Sequence, residues 1–122
     1  MKRKLALWAA LALALCPALS PAQSAYPNRS VKIIVPFAPG GASDFVARIM
    51  QPRLSELLGQ PIVIENRGGA AGTIGMEVAA RSAPDGYTLV LGNVGSTAIN
   101  PGVFTNLSIN NLRDFIPVTQ VV

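Results

Sequence analysis

The groups in this chain best placed to do chemistry are main-chain amides. Three stretches gather small residues: Pro36 to Ala42, Glu65 to Gly72, and Gly92 to Asn100. Small side chains let an anion approach backbone N–H groups closely. Where such a stretch opens a helix, the first N–H groups lack intrahelical partners and carry positive potential. The chemistry implied is docking of a negatively charged group, most simply a carboxylate. The same glycines could serve only tight turns, and spacing alone weighs the two equally. Side-chain chemistry is poorly supplied. With no His there is no Ser-His-Asp triad, no Cys-His dyad and no His-ligated metal. The single Cys16 allows neither an internal disulfide nor a CxxC pair. Glu56, Glu65 and Glu77 are scattered, without the pairing that acid–base catalysis needs. Gly69 to Gly75 reads GxxGxxG rather than GxGxxG, and no GxxxxGK[ST] run occurs. No cofactor or metal is expected.

The loops need elements to hold them. Val31-Lys32-Ile33-Ile34-Val35, ended by Pro36, predicts a buried strand. A helix is predicted from Ser43 as N-cap, with Asp44 in its first turn complementing the dipole. Val46, Met50, Leu54, Leu57 and Leu58 share one face, with Phe45 and Ile49 beside them. Pro52 should kink this helix or split it in two, since an interior proline costs about 3 kcal/mol. Gly59 is the expected C′ residue. Ile62 to Ile64 predicts a second strand, Thr73 to Ser82 a second helix, and Tyr87 to Leu91 a third strand. Ile116 to Val122 looks like a fourth. This β-α-β-α-β order implies an α/β fold, a Rossmann-like parallel sheet with right-handed crossovers and helices on both faces. In such sheets ligands sit outside the carboxyl ends of the strands, where all three small-residue stretches fall.

Individual polar residues have simpler uses. Asp44 is better read as a helix stabiliser than as a ligand contact. Arg67 is expected to pair with Glu65 or Glu77, and Ser96 and Thr97 either meet a ligand or cap a turn.

The chain opens as an export signal. Lys2, Arg3 and Lys4 precede an uncharged apolar run from Leu5 to Leu15, too short to cross a bilayer comfortably. Ala22-Gln23-Ser24 offers a cleavage site, placed after Ser24. Leu15 stands where a lipobox needs a small residue, so lipidation of Cys16 is not expected. Of the 10 Lys and Arg, three lie in this leader, which leaves seven against 6 acidic residues. The formal +4 therefore says nothing of nucleic acid as a partner. The ending, Val118-Thr119-Gln120-Val121-Val122, reads as the interior of a longer protein.

Several motifs occur in order: Val35-Pro36-Phe37-Ala38-Pro39-Gly40-Gly41-Ala42-Ser43-Asp44, then Leu58-Gly59-Gln60-Pro61-Ile62-Val63-Ile64-Glu65-Asn66-Arg67. Gly72-Thr73-Ile74-Gly75 and Ala83-Pro84-Asp85-Gly86-Tyr87-Thr88-Leu89 follow. This series resembles the Bug family, periplasmic receptors of tripartite tricarboxylate transporters. The resemblance implies a two-lobed type II periplasmic binding protein that captures small carboxylates without chemistry and delivers them to the transporter's membrane components. It implies ligand contacts at Phe37, Ala38, Pro39, Gly40, Gly41 and Asp44, at Gly69, Ala70, Ala71, Gly72 and Thr73, and more weakly at Asn93, Ser96 and Thr97. Residues 25 to 122 would be the amino-terminal part of the first lobe, with the second lobe absent. An unfinished sheet edge and an uncovered helix face are then expected. Two other readings remain: an exported enzyme using the same loops for a phosphorylated substrate, and a truncated product without function.

Overall fold

The computed structural model describes residues 25–121; the proposed signal peptide, its cleavage site and Cys16 lie outside the described residues. Three strands form one parallel sheet in the order β2-β1-β3: β1 (Val31–Val35), β2 (Ile62–Asn66) and β3 (Thr88–Val90). Helix α1 (Ala42–Leu58) connects β1 to β2, and α2 (Thr73–Ala80) connects β2 to β3. The two crossovers travel in opposite directions across the sheet. With the right-handed sense usual for such crossovers, the helices fall on opposite faces, and the strand order reverses beside β1.

Alternation along β1 explains the core. Val31, Ile33 and Val35 face α1 and are buried with Ala47 and Ile62, flanked by Leu54, Leu58, Ile64 and Leu89. Ile34 points the other way and is buried, as is Met76 of α2. Each such side chain contributes about 1.5–3 kcal/mol through burial.

Helix α1 differs from its sequence reading in three respects. It starts at Ala42 with Gly41 at the cap, so Ser43 lies inside the first turn. Its sheet-facing seam runs through Ala47, Gln51, Leu54 and Leu58, while Leu57, Phe45 and Ile49 are exposed. It also stays one helix through Pro52. Anchors on both sides of the proline hold it: Gln51 Nε2 donates to the Ile62 carbonyl (2.7 Å), and the Ile62 N–H donates to Ser55 Oγ (3.0 Å). Gly59 closes the helix at φ 65°, as its position predicts.

Strand β2 extends to Asn66, two residues beyond the sequence expectation, because Val35 still pairs with Asn66. The stretch from Gly92 is only briefly a loop. A π-helical turn (Gly95–Ile99) runs into a short helix, α3 (Asn100–Val103), whose first turn accommodates Pro101. The fourth strand does not form: after α4 (Asn111–Asp114), residues 115–121 have no assigned regular structure. Ile116 and Val118 are exposed, with no strand of the sheet beside them. In the described three-stranded sheet both β2 and β3 are edges.

Candidate functional site

The carboxyl ends of the strands bring the three small-residue segments together. A Cβ built on Gly68 would lie 3.2 Å from the Ala38 nitrogen; one on Gly72 would lie 3.1 Å from Phe37 Cζ and 3.3 Å from Ser96 Cβ. The first and second loops are therefore in contact, and the third packs behind them.

The first loop delivers an open helix start. Gly41 caps α1 without a side-chain bond, and the first internal bond is from the Phe45 N–H to the Gly41 carbonyl (2.9 Å). The amides of Ala42, Ser43 and Asp44 thus have no carbonyl one turn back. Ala38, Pro39, Gly40 and Gly41 are exposed, and Phe37 is half-buried. At α2, Gly72 also caps without a side-chain bond. The second loop enters that helix differently, through a 3-10 turn (Ala70–Gly72): the Gly72 N–H donates to the Gly69 carbonyl (2.9 Å) and the Thr73 N–H to that of Ala70. Its path is unusual for alanine: Ala70 and Ala71 adopt φ of 46° and 54°, between Gly69 at 124° and Gly72 at 94°. An alanine in the left-handed region costs about 1–2 kcal/mol, and such strain concentrates where a backbone shape is used. Gly69, Ala70 and Ala71 are exposed, whereas Gly72 is buried.

The other nominated residues are turned toward their own chain. Asp44 is 2% exposed, and its carboxylate accepts from the Gly40 N–H (2.8 Å), Arg48 Nε (2.9 Å) and Asn66 Nδ2 (2.9 Å). Buried Ser96 and exposed Thr97 both donate their hydroxyls to the Asn93 carbonyl, at 3.2 and 2.6 Å; Asn93 Oδ1 accepts the Ser96 N–H. These three form the start of the helical turn. Arg67 is bonded to Glu65, one of the two partners expected for it. Arg67 shares Glu65 with Lys32, so these cations are held in ion pairs, and the helix start of α1 is the feature that offers unpaired donors.

Two residues that sequence reasoning does not nominate hold the loops together. Asn66 Nδ2 reaches the Phe37 carbonyl (3.2 Å) as well as Asp44, and buried Asn100 donates to the Ala71 carbonyl (2.9 Å). Their only sequence signal is position: each Asn stands where a strand or loop ends, a place that also suits an ordinary turn.

A depression of about 400 Å³ opens elsewhere, at the amino ends of the strands beside Arg29, Lys32, Asp85 and Tyr87. Its cations are paired, Arg29 with Asp85 (2.7 Å) and Lys32 with Glu65 (2.6 Å), which Arg67 shares. It lacks the helix starts that favour an anion, so the loop cluster is the candidate site.

Carboxylates here are held in their charged form. Arg48 chiefly, with the Gly40 amide and Asn66, pulls Asp44 well below the usual range; Lys32 and Arg67 lower Glu65. Asp114, beside Arg113, is lowered to about 2. A depressed carboxyl contributes stability that is full above the unfolded value of about 3.9 and lost as pH falls toward the folded one. The thermal midpoint is accordingly expected to be level from pH 7 to about 5 and to fall steadily below about 4. The Asp44→Asn variant should lose part of that slope. A midpoint unchanged down to about pH 2 would contradict the ion-pair assignments.

A parallel α/β layer whose Gly-rich loops gather at a strand-order reversal has the place where open α/β sheets bind their ligands. Comparison with known proteins places it more closely. The family described as tripartite tricarboxylate transporter family receptor matches residues 46–122. Protein BugT of Bordetella pertussis is 42% identical over 97 residues, which cover 79% of this chain and 30% of BugT. MatC from Rhodopseudomonas palustris with bound malate superposes with a TM-score of 0.73 at 43% identity, covering 76% of this chain and 32% of MatC. R. palustris Rpa4515 with adipate gives 0.68 at 39%, covering 71% and 29%. This chain belongs to the tripartite tricarboxylate transporter receptor family, whose members are periplasmic receptors. It spans about a third of the length of these relatives.

Proposed function

We propose that this chain is the amino-terminal part of the first lobe of a periplasmic receptor. Residues 1 to 24 act as its cleaved export signal, and the receptor captures a small carboxylate for the membrane components of a tripartite transporter. The main observation in favour is the convergence of two helix starts without side-chain caps, at Gly41 and Gly72, on the carboxyl side of the sheet. Oriented amides at that place favour an anion through unpaired N–H groups and the helix dipole. Both ligands seen on the similar proteins, malate and adipate, are dicarboxylates. One carboxylate of such a solute would sit between the first loop, Phe37 to Gly41, and the second, Gly69 to Thr73. It would draw on the first amides of α1 rather than on Gly40, whose N–H is held by Asp44, or Pro39, which has none. Ala70 and Ala71 then owe their backbone shape to the cradle. Asn93 and Thr97 stand at the rim, and Ser96 supports the third segment from within. Capture involves no bond making, so the protein is not an enzyme.

Isothermal titration of the full-length protein with malate, citrate, glutamate and phosphate tests this reading. Saturable binding of at least one carboxylate, with no response to phosphate, is expected. A response to phosphate alone would favour the phosphorylated-substrate enzyme instead.

A further inference from the structure

The carboxylate of Asp44 has no free side for a ligand. Oδ2 takes the Gly40 amide and the Arg48 guanidinium, and Oδ1 takes Asn66. Asn66 closes the ring, since its Nδ2 also donates to the Phe37 carbonyl and its Oδ1 accepts from Arg48 Nη2 (3.3 Å). Phe37 and Gly40 lie near the two ends of the first loop. Asn66 is the last residue of β2, immediately before the chain enters the second loop. The network therefore ties both ends of one loop to the root of the other.

We propose that Asp44, Arg48 and Asn66 are positioning residues, a latch that fixes the distance and orientation between the two amide cradles before the solute arrives. The inference rests on the carboxylate-receptor reading above. Two physical effects support it. A loop already held in its bound shape has less ordering to do on binding, and affinity falls by the fraction of molecules not in the competent shape. Charge matters as well. An unpaired Asp44 bonded to the Gly40 amide would repel an incoming carboxylate, and Arg48 cancels it while remaining half-exposed itself. The latch shapes the first loop without adding net charge to it.

Malate, adipate and citrate are titrated into the full-length wild type and into Asp44→Asn, Asn66→Ala and Arg48→Gln, at low and at physiological salt. Each variant's thermal midpoint is measured, and the backbone amide resonances of Gly40 and Gly41 are recorded with and without the tightest acid. Asp44→Asn and Asn66→Ala should each weaken binding roughly tenfold. They should broaden the Gly40 and Gly41 resonances in the free protein, with sharpening at saturation. Arg48→Gln should lower the midpoint, since it leaves the Asp44 carboxylate without its counter-charge. The Gly40 and Asn66 bonds remain, however, and its decisive readout is the salt dependence of binding rather than the midpoint. Its loss of affinity should shrink as salt rises, because screening weakens the uncompensated charge. A general loss of stability would produce neither the salt dependence nor the ligand-reversed broadening. Variants that bind within about twofold of wild type would overturn the latch while leaving the receptor reading intact. A wild type that binds none of the three acids would overturn the receptor reading, and the role of the latch with it.

Discussion

Replacing Gly75 by alanine is expected to destabilise the protein by about 3 kcal/mol, the upper part of the range for overpacked cores. Gly75 lies in α2 and is buried where that helix crosses the ends of β1 and β2. A Cβ there would stand 2.5 Å from the Arg67 carbonyl oxygen and 2.6 Å from both Cα and Cβ of Pro36. None of these atoms belongs to a flexible side chain that could move aside. Helix propensity pulls the other way, since alanine is favoured over glycine by about 1 kcal/mol in a helix interior. The steric term is larger because α2 must retreat from the sheet, loosening Met76 and the second loop together. Urea or thermal unfolding measures the loss, and carboxylate affinity should fall with it. Gly102 supplies the control. A Cβ there meets nothing within 4 Å, so Gly102→Ala should be neutral or slightly stabilising. A Gly75→Ala variant as stable as wild type would mean that α2 does not sit this close to β1.

The second large effect separates stability from binding. Gly41 caps α1 with φ −80° and ψ 171°, an extended conformation open to any residue, and a Cβ there meets only the Ala38 carbonyl at 3.5 Å. Aspartate is a favoured N-cap, so Gly41→Asp should hold or raise stability by a few tenths of a kcal/mol. Its carboxylate would take the amides proposed for the solute and repel the solute's own charge. Affinity for the cognate acid should drop about 100-fold, equivalent to about 2.7 kcal/mol. Gly41→Ala adds the methyl without the charge and should bind within about threefold of wild type. Unchanged affinity in Gly41→Asp would show that the α1 start is not where the anion docks.

Features set by near neighbours are legible in the residues themselves. Strand β1 spans the predicted Val31 to Val35 because a β-branched run ended by Pro36 has few other conformations available. Gly59 ends α1 because the left-handed closing residue suits glycine. The proposed anion-binding site is readable as a pattern, small residues where strands pass into helices, since that requirement is carried by the backbone. Elements that depend on distant partners are harder to read. Residues 116 to 122 have the composition of a strand, yet a strand exists only beside another, and no strand of the described sheet lies next to Ile116 or Val118. The segment Gly92 to Asn100 reads as a loop because its residues are small and polar, and the signal weakens after Pro101. Pro101 instead occupies a first helical turn, where its missing N–H costs nothing.

Amino-acid order is enough to specify the parallel α/β arrangement, the family resemblance and the three loops, all written in short-range spacing. The role of Asp44 emerges only when the elements pack. Its neighbour Arg48 is one helical turn away, but Asn66 is 22 residues distant and reaches it only after β2 has paired with β1. The same holds for Gly75, whose lack of a side chain matters because two strand ends converge on it. Contacts between residues far apart in the chain depend on how the elements meet, and that meeting is a property of the assembled fold rather than of any one segment.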